Sequence, residues 1–160
     1  MVRLSKLTDY ALVVMSCMAR NSNQSSRTAR DLSVELRLPL PTVSKLLKEL
    51  LQSGLLVSHR GTKGGYRLTR EPHEISLAEI IAAMEGPIAL TECSTDTIGL
   101  CELEPCCAIK KNQQIISQAV RGVLDRLTLA DLIQPLQLTA VIDARGNLVP
   151  TISVTSGRMQ

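Results

Sequence analysis

Four of the five cysteines in this 160-residue chain lie close together, between positions 93 and 107. They are Cys93, Cys101, Cys106 and Cys107, whereas Cys17 stands alone in an apolar segment. Thiolates on a loop bind iron–sulfur clusters or zinc, and they also form disulfides in response to oxidants. In a reducing compartment such a group of thiols indicates metal binding or redox chemistry rather than a disulfide framework. The residues alone leave an iron–sulfur cluster, a zinc site and a thiol-redox sensor open, although the paired Cys-x-x-Cys or Cys/His spacing that zinc sites favour is absent.

Composition limits the setting in which these thiols act. No apolar run reaches membrane-spanning length, and the first residues lack the apolar core of a signal peptide, which predicts a cytoplasmic protein without a membrane partner. No Cys-x-x-Cys stands beside a βαβ pattern, and neither His59 nor His73 has a catalytic setting. The sequence therefore does not predict an enzyme.

Charge is distributed unevenly along the chain. Residues 1–75 hold 12 Lys and Arg against six Asp and Glu, whereas residues 76–160 hold six against nine. A basic half joined to an acidic half indicates that a polyanion binds the N-terminal half.

Apolar spacing and capping residues predict a mainly α-helical fold with one small β-hairpin. The core must be aliphatic, because the chain has no Phe or Trp. Helices are predicted over 8–20, 28–36, 41–52, 76–86 and 109–127, with a short helical turn from Thr128. Two short alternating runs flank residues 59–65, and Leu55 and Val57 are predicted to share one side of the first run.

The order helix, helix, turn, helix and basic hairpin is typical of a winged helix-turn-helix. Helix 41–52 has an apolar back and a small, polar or cationic front, as a helix that enters the major groove requires. The hairpin tip at 59–67 combines glycines with cationic side chains, as a wing that approaches phosphate requires. The predicted DNA-binding residues are Arg3, Lys6, Thr28, Pro41, Thr42, Ser44, Lys45, Lys48, His59, Arg60, Lys63, Gly64, Gly65 and Tyr66.

These motifs resemble the Rrf2 family of transcription regulators, which includes the IscR, NsrR and RirA types. The resemblance rests on Arg3-Leu-Ser-Lys-Leu-Thr-Asp-Tyr-Ala11, Gly54-Leu-Leu-Val57, Arg60-Gly-Thr-Lys-Gly-Gly-Tyr66, Ser76-Leu-Ala-Glu-Ile80, Asn112 and Thr128-Leu-Ala-Asp-Leu132. The set is closest to the subgroup that controls SUF-type iron–sulfur assembly genes, although Gln113 follows Asn112 where relatives often carry Trp. The resemblance implies a homodimer held by the long C-terminal helix and bound to a palindromic double-stranded operator.

The same resemblance implies an iron–sulfur cluster, [2Fe-2S] or [4Fe-4S], held by Cys93, Cys101 and Cys107. Cys106 is an extra thiol that could replace Cys107, because spacing does not decide between neighbours. Some relatives use a His three residues after the last Cys as fourth ligand, but Lys110 stands there. Others use an Asp on the first helix of the partner subunit, a position that Asp9 occupies.

Together these features predict four segments. Residues 1–86 form the winged helix-turn-helix domain, 87–108 the cluster-binding loop, 109–134 the dimerisation helix with a short helical turn, and 135–160 a weakly patterned tail expected to be partly disordered. The predicted function is a repressor that senses iron–sulfur cluster status and controls cluster assembly genes.

Overall fold

Six α-helices and two β-hairpins make up the part of the chain that the computed structural model describes, residues 3–20, 26–61, 64–95, 99–103, 105–143, 145 and 148–154. The helices are α1 Lys6–Arg20, α2 Ala29–Leu36, α3 Leu40–Gln52, α4 Leu77–Glu85, α5 Lys110–Arg126 and α6 Leu129–Leu132. The strands are β1 Leu56–His59, β2 Gly65–Leu68, β3 Leu136–Ile142 and β4 Leu148–Val154, and 3-10 turns cover Pro72–Glu74 and Glu92–Ser94. None of the described helices is both long and apolar enough to cross a membrane.

Three helices begin with the same local device, as their sequences predict. Thr28, Ser76 and Thr128 each accept a hydrogen bond from the backbone N–H three residues on, and the acidic side chain at that position accepts one in return. A capping box of this kind satisfies backbone donors that a helix start leaves unpaired. The starts of α2, α4 and α6 are therefore set by local sequence.

The core is aliphatic, and α1 runs through its centre. Val14 and Met15 of α1 are fully buried, and they lie with Leu46 and Leu50 of α3 and Ile80 of α4 in one continuous cluster. Burying a side chain of this size contributes roughly 1.5–3 kcal/mol each. Leucine, valine and methionine thus supply what Phe and Trp supply in other cores.

The first hairpin is antiparallel and follows the DNA-binding helices directly. Leu56 pairs with Leu68, and His59 pairs with Gly65. Leu56 is buried whereas Val57 is exposed, so the prediction that Leu55 and Val57 share one side is wrong. Leu55 enters the core before the strand begins, and within β1 Leu56 is buried whereas the three residues after it are exposed.

The second hairpin corrects the expectation of a weakly patterned, partly disordered tail. β3 and β4 pair over seven residues each, from Leu136–Val154 to Ile142–Leu148. In the sequence, residues of high β propensity precede and follow a short run that contains a glycine, which is a recognised hairpin signal. Residues 155–160 lie outside the described residues.

One long-range contact joins the two ends of the DNA-binding half. The carboxylate of Glu85, the last residue of α4, accepts a hydrogen bond from the Ser5 backbone N–H at 2.7 Å and another from the hydroxyl of Thr8. Thr8 is fully buried, and these bonds hold the pKa of the Glu85 carboxyl below its ordinary value. The start of α1 is therefore fixed to the end of α4.

We expect Glu85→Ala to lower the free energy of unfolding by about 1–2 kcal/mol, because the buried Thr8 hydroxyl loses a charged acceptor. A lowered folded pKa stabilises the fold above the ordinary carboxyl pKa of 4.5 and loses that effect as the pH falls through the folded value. The difference in unfolding free energy between wild type and variant, measured by urea denaturation, should therefore be constant from neutral pH down to about pH 4.5 and shrink as the pH falls further.

Thr8→Val is the matched variant for this contact, since it removes the hydroxyl and keeps the volume. The double variant should be less destabilised than the two single effects combined. Additive effects would show that Glu85 and Thr8 are not coupled.

Candidate nucleic-acid interface and cysteine loop

Helix α3 presents the polar surface that the sequence predicts for a recognition helix. Val43, Leu46 and Leu47 are buried against the core, whereas Ser44, Lys45 and Lys48 are exposed on the opposite side. Pro41 and Thr42 lie in the first turn, after the N-cap residue Pro39. Lys45 is 3.8 Å from Glu49, a weak exposed pair that leaves its ammonium accessible to an anion.

The wing is formed by β1, β2 and their connection. His59, Arg60 and Gly61 are exposed at its tip, and Lys63 lies outside the described residues. A Cβ at Gly64 would lie 2.6 Å from the His59 carbonyl oxygen, so the tip closes only with glycine there. Tyr66, on β2, is half-buried against the core.

Arg27, which is not among the residues predicted from the sequence, holds the wing to the helix-turn-helix. Its backbone N–H donates to the Tyr66 carbonyl at 3.0 Å, and the Tyr66 N–H donates to the Arg27 carbonyl at 2.8 Å. A Cβ at Gly65 would lie 2.7 Å from that carbonyl oxygen, so glycine is what permits this close approach. The predicted DNA-binding glycines thus also have a structural role.

The Arg27 side chain extends the same connection to α1 and α2. Its guanidinium forms an ion pair with Glu35, whose other carboxylate oxygen accepts a hydrogen bond from the Cys17 thiol at 3.1 Å. Burial, the Glu35 hydrogen bond and the negative charge of Glu35 raise the pKa of Cys17 to about 11. Cys17 is therefore a protonated structural thiol, in accord with its position in an apolar helix.

The N-terminal predicted residues lie at the start of α1. Arg3 and Lys6 are exposed, and the Lys6 ammonium is 5.5 Å from the centre of the Tyr10 ring. Asp9, one turn along, is exposed as well. Thr28 is exposed, but its hydroxyl is already used in the N-cap of α2. The exposed cationic residues of the predicted set therefore lie on α3, on the wing and at the start of α1.

The cysteine loop, residues 87–108, joins α4 to α5. Cys93 is buried in the 3-10 turn Glu92–Ser94, with its sulfur 3.3 Å from the Thr91 hydroxyl. The Gln114 side chain on α5 donates to the Cys93 carbonyl at 3.1 Å, and the buried Ser117 hydroxyl accepts from the Leu90 N–H at 3.0 Å. The first part of the loop is thus fixed to α5 by side chains of that helix.

The other three thiols lie in the second part of the loop. Cys101 and Cys107 are half-buried, and Cys106 is exposed with its sulfur 3.5 Å from the Leu103 carbonyl. The Cys107 carbonyl accepts from the Lys110 N–H at the first turn of α5, at 3.3 Å. None of the five cysteines forms a disulfide.

The donor chemistry of the loop fits an iron–sulfur cluster, because four free thiols lie within one short segment. Among the described residues, however, no three Cys, His, Asp or Glu side chains converge on one point where they could hold a metal ion. Asp9 and the loop cysteines likewise do not form one group within the described part of a single chain. The ligands would have to be brought together by binding of the cluster itself or by a second copy of the chain.

Helix α5 carries an exposed apolar surface. Ile115, Ile116, Val120 and Val123, here called the α5 stripe, are 37–59% exposed. A helix that leaves such a row uncovered normally packs it against another surface.

Comparison with known proteins agrees with this architecture. The Rrf2 family, described as iron-dependent transcriptional regulators, matches residues 4–135. The regulator NsrR of Shouchella clausii is 28% identical over 132 residues, which are 82% of this chain and 89% of that protein.

Two solved structures show the same fold with related sequences. CymR of B. subtilis, described as its global cysteine regulator, superposes with a TM-score of 0.66 and 30% identity over 83% of this chain and 97% of its own. IscR of T. potens superposes with a TM-score of 0.63 and 26% identity over 82% of this chain and 86% of its own. The relatives are regulators and not enzymes, and the chain belongs to the Rrf2 family of winged-helix, DNA-binding transcriptional regulators.

Proposed function

We propose that this regulator represses transcription according to the occupancy of an iron–sulfur cluster held by Cys93, Cys101 and Cys107. The observation that carries the proposal is the position of the cysteine loop, which links α4 to α5 and whose first thiol lies on a turn bonded to Gln114. Iron dependence in the description of the family supports it further. Genes for cluster assembly, of SUF type, are the proposed targets, because the motifs resemble that subgroup.

The thiols of the loop have different roles in this proposal. A bound cluster, [2Fe-2S] or [4Fe-4S], would supply a redox-sensitive link between distant thiolates. Cys93 would bind from a turn already fixed to α5, whereas Cys101 and Cys107 would move to meet it. Asp9 of the partner subunit is the candidate for a fourth ligand, and Cys106 is the substitute for Cys107.

Contacts at both ends of the cysteine loop provide a way for a structural change in the loop to affect the DNA-binding half. At one end, α4 stops at Glu85, which holds the first turn of α1 and with it Arg3 and Lys6. At the other end, α5 returns to the start of α4, where the Leu77 N–H donates to the Leu127 carbonyl at 2.8 Å. A change in the loop therefore acts on the angle between the DNA-binding half and α5, and the difference in DNA affinity between the two arrangements measures the coupling.

Thiol-redox regulation without a cluster is the second candidate. Cys106 is exposed, and the loop thiols are free to be oxidised. The similarity to CymR, which is described as a global cysteine regulator, supports this second candidate. Anaerobic purification followed by iron and sulfide analysis separates the two candidates, since only the first predicts both elements.

We expect Ser at Cys93, Cys101 or Cys107 to remove nearly all cluster absorbance, iron and sulfide after identical anaerobic reconstitution. Cys106→Ser and Cys17→Ser are the controls and should keep them, because Cys106 lies outside the proposed ligand set and Cys17 is bonded to Glu35. Circular dichroism should be unchanged in all loop variants, since the buried core lies outside most of the loop. Loss of colour in Cys106→Ser with retention in Cys107→Ser would reassign the third ligand.

We expect Arg60→Ala to weaken binding to every duplex and to reduce the slope of log affinity against log salt by about one phosphate contact. Arg126→Ala on α5 removes the same charge away from the proposed interface and should change neither quantity. Thr42 and Lys45 substitutions should instead alter the preference among sequences. An unchanged salt slope in Arg60→Ala, measured by fluorescence anisotropy, would contradict the assignment of the wing.

We propose further that the α5 stripe pairs with its symmetry mate, so that two recognition helices meet half-sites of a palindrome about 34 Å apart or a multiple of it. Val120→Glu should convert the dimer to a monomer in sedimentation at micromolar concentration, because a buried unpaired charge is costly. Gln118→Glu adds the same charge at an exposed position outside the stripe and should leave a dimer. A wild-type monomer would refute the pairing.

A further inference from the structure

The second hairpin lies beyond the part of the chain that the family shares. The family match ends at residue 135, whereas β3 begins at Leu136. The B. subtilis CymR structure is covered over 97% of its length by only 83% of this chain. The winged-helix fold is therefore complete without β3 and β4, and the hairpin needs an explanation of its own.

The hairpin has little support from the rest of its own chain. Neither β3 nor β4 makes more than marginal contact with any other described element. On one face Leu136 and Ile152 are each 39% exposed, and Leu138 is 76% exposed. A lone two-stranded hairpin is marginally stable in water, and three or more strands, or a packed face, are needed for a stable unit. The hairpin therefore needs a further strand or a packed face to become a stable unit.

Pro150 determines which edge can accept that strand. Residue pairs in an antiparallel ladder alternate between hydrogen-bonded and non-hydrogen-bonded pairs. Proline has no N–H to donate, so Ala140–Pro150 must be a non-hydrogen-bonded pair, in which the backbone N–H and C=O groups point away from the partner strand. The outer edge of β4 thus lacks a donor at its centre. The outer edge of β3 keeps one, because the Ala140 N–H and, two residues away, the Leu138 N–H point outward.

The composition of the strands selects the occupant. β3 and β4 contain no charged residue, so they offer nothing to a polyanion and do not repel a second identical strand. If β3 pairs antiparallel with β3 of a second copy, the outward backbone N–H and C=O of Leu138 would form hydrogen bonds with the C=O and N–H of Ala140 in that copy. By symmetry, Ala140 of the first copy would form the same bonds with Leu138 of the second. The edge is thus complementary to itself.

We propose that β3 pairs antiparallel with β3 of a second copy of this chain, forming a four-stranded sheet centred on Thr139. The arrangement satisfies the open backbone edge of both hairpins and leaves each Pro150 at an outer edge. It is distinct from the α5 stripe, since neither strand makes more than marginal contact with α5.

The proposal fixes one self-contact that can be trapped. Thr139 would face Thr139 of the second copy in a non-hydrogen-bonded pair, with Cβ atoms about 5 Å apart. Under mild oxidation at low micromolar concentration, the full chain carrying Thr139→Cys should form a disulfide-linked dimer. The tryptic peptide between Arg126 and Arg145 contains no native cysteine, so a dimer of this peptide in mass spectrometry reports this bond alone.

Gln137→Cys is the matched control, because it lies two residues away on the same face of β3. In the proposed pairing, the two residues at position 137 would lie four residues apart along the strand direction, about 13 Å. Gln137→Cys should therefore cross-link at least about ten times more slowly than Thr139→Cys. Adding Ala140→Pro to Thr139→Cys should abolish the cross-link, since it removes an outward N–H and spares the bonds between β3 and β4. Circular dichroism confirms that each variant is folded.

Three results would overturn the proposal. They are the absence of a cross-link in folded Thr139→Cys, equal rates for Thr139→Cys and Gln137→Cys, and a cross-link that survives Ala140→Pro. The first would leave the β3 edge to a different protein.

Discussion

The bond network at Glu85 is the constraint on which the rest of this structure depends. A carboxylate at the end of α4 accepts from the backbone of Ser5 and from the buried hydroxyl of Thr8, so the first turn of α1 cannot move independently of α4. Because α1 is also the centre of the core, this contact sets where its cationic N-terminus stands relative to α3 and the wing. The cysteine loop begins immediately after it, at Pro87.

The wing depends on a second contact of the same kind, between segments distant in sequence. Arg27 bonds to Tyr66 through its backbone and to Glu35 through its side chain, and thereby joins the wing to α2. The proposed DNA-binding surface is thus assembled from three pieces, α3, the wing and the start of α1, whose relative positions are held by hydrogen bonds to backbone and carboxylate groups. Apolar packing supplies most of the stability, and these polar contacts supply the alignment.

Sequence reasoning predicts the features that are encoded locally. The capping boxes at Thr28, Ser76 and Thr128 involve residues three apart, and the apolar face of α3 follows helical periodicity, so both could be read directly. Glu85 and Thr8 are 77 residues apart, and nothing in the sequence indicates that they meet. The alternation of β3 and β4 was available in the sequence, but the segment lies beyond the family motifs. The cysteine loop has no periodicity, and its ligand geometry therefore could not be derived.

The protonated state of Cys17 has a practical consequence for chemical labelling. Only the thiolate reacts with alkylating reagents, and a pKa of about 11 leaves roughly one Cys17 in ten thousand ionised at neutral pH. Its hydrogen bond to Glu35 and its burial restrict access as well. Because Cys17 is hardly alkylated, the number of alkyl groups found on the native chain by intact mass spectrometry reports the four loop thiols. The same measurement shows how many of those four are blocked by a bound cluster or by a disulfide.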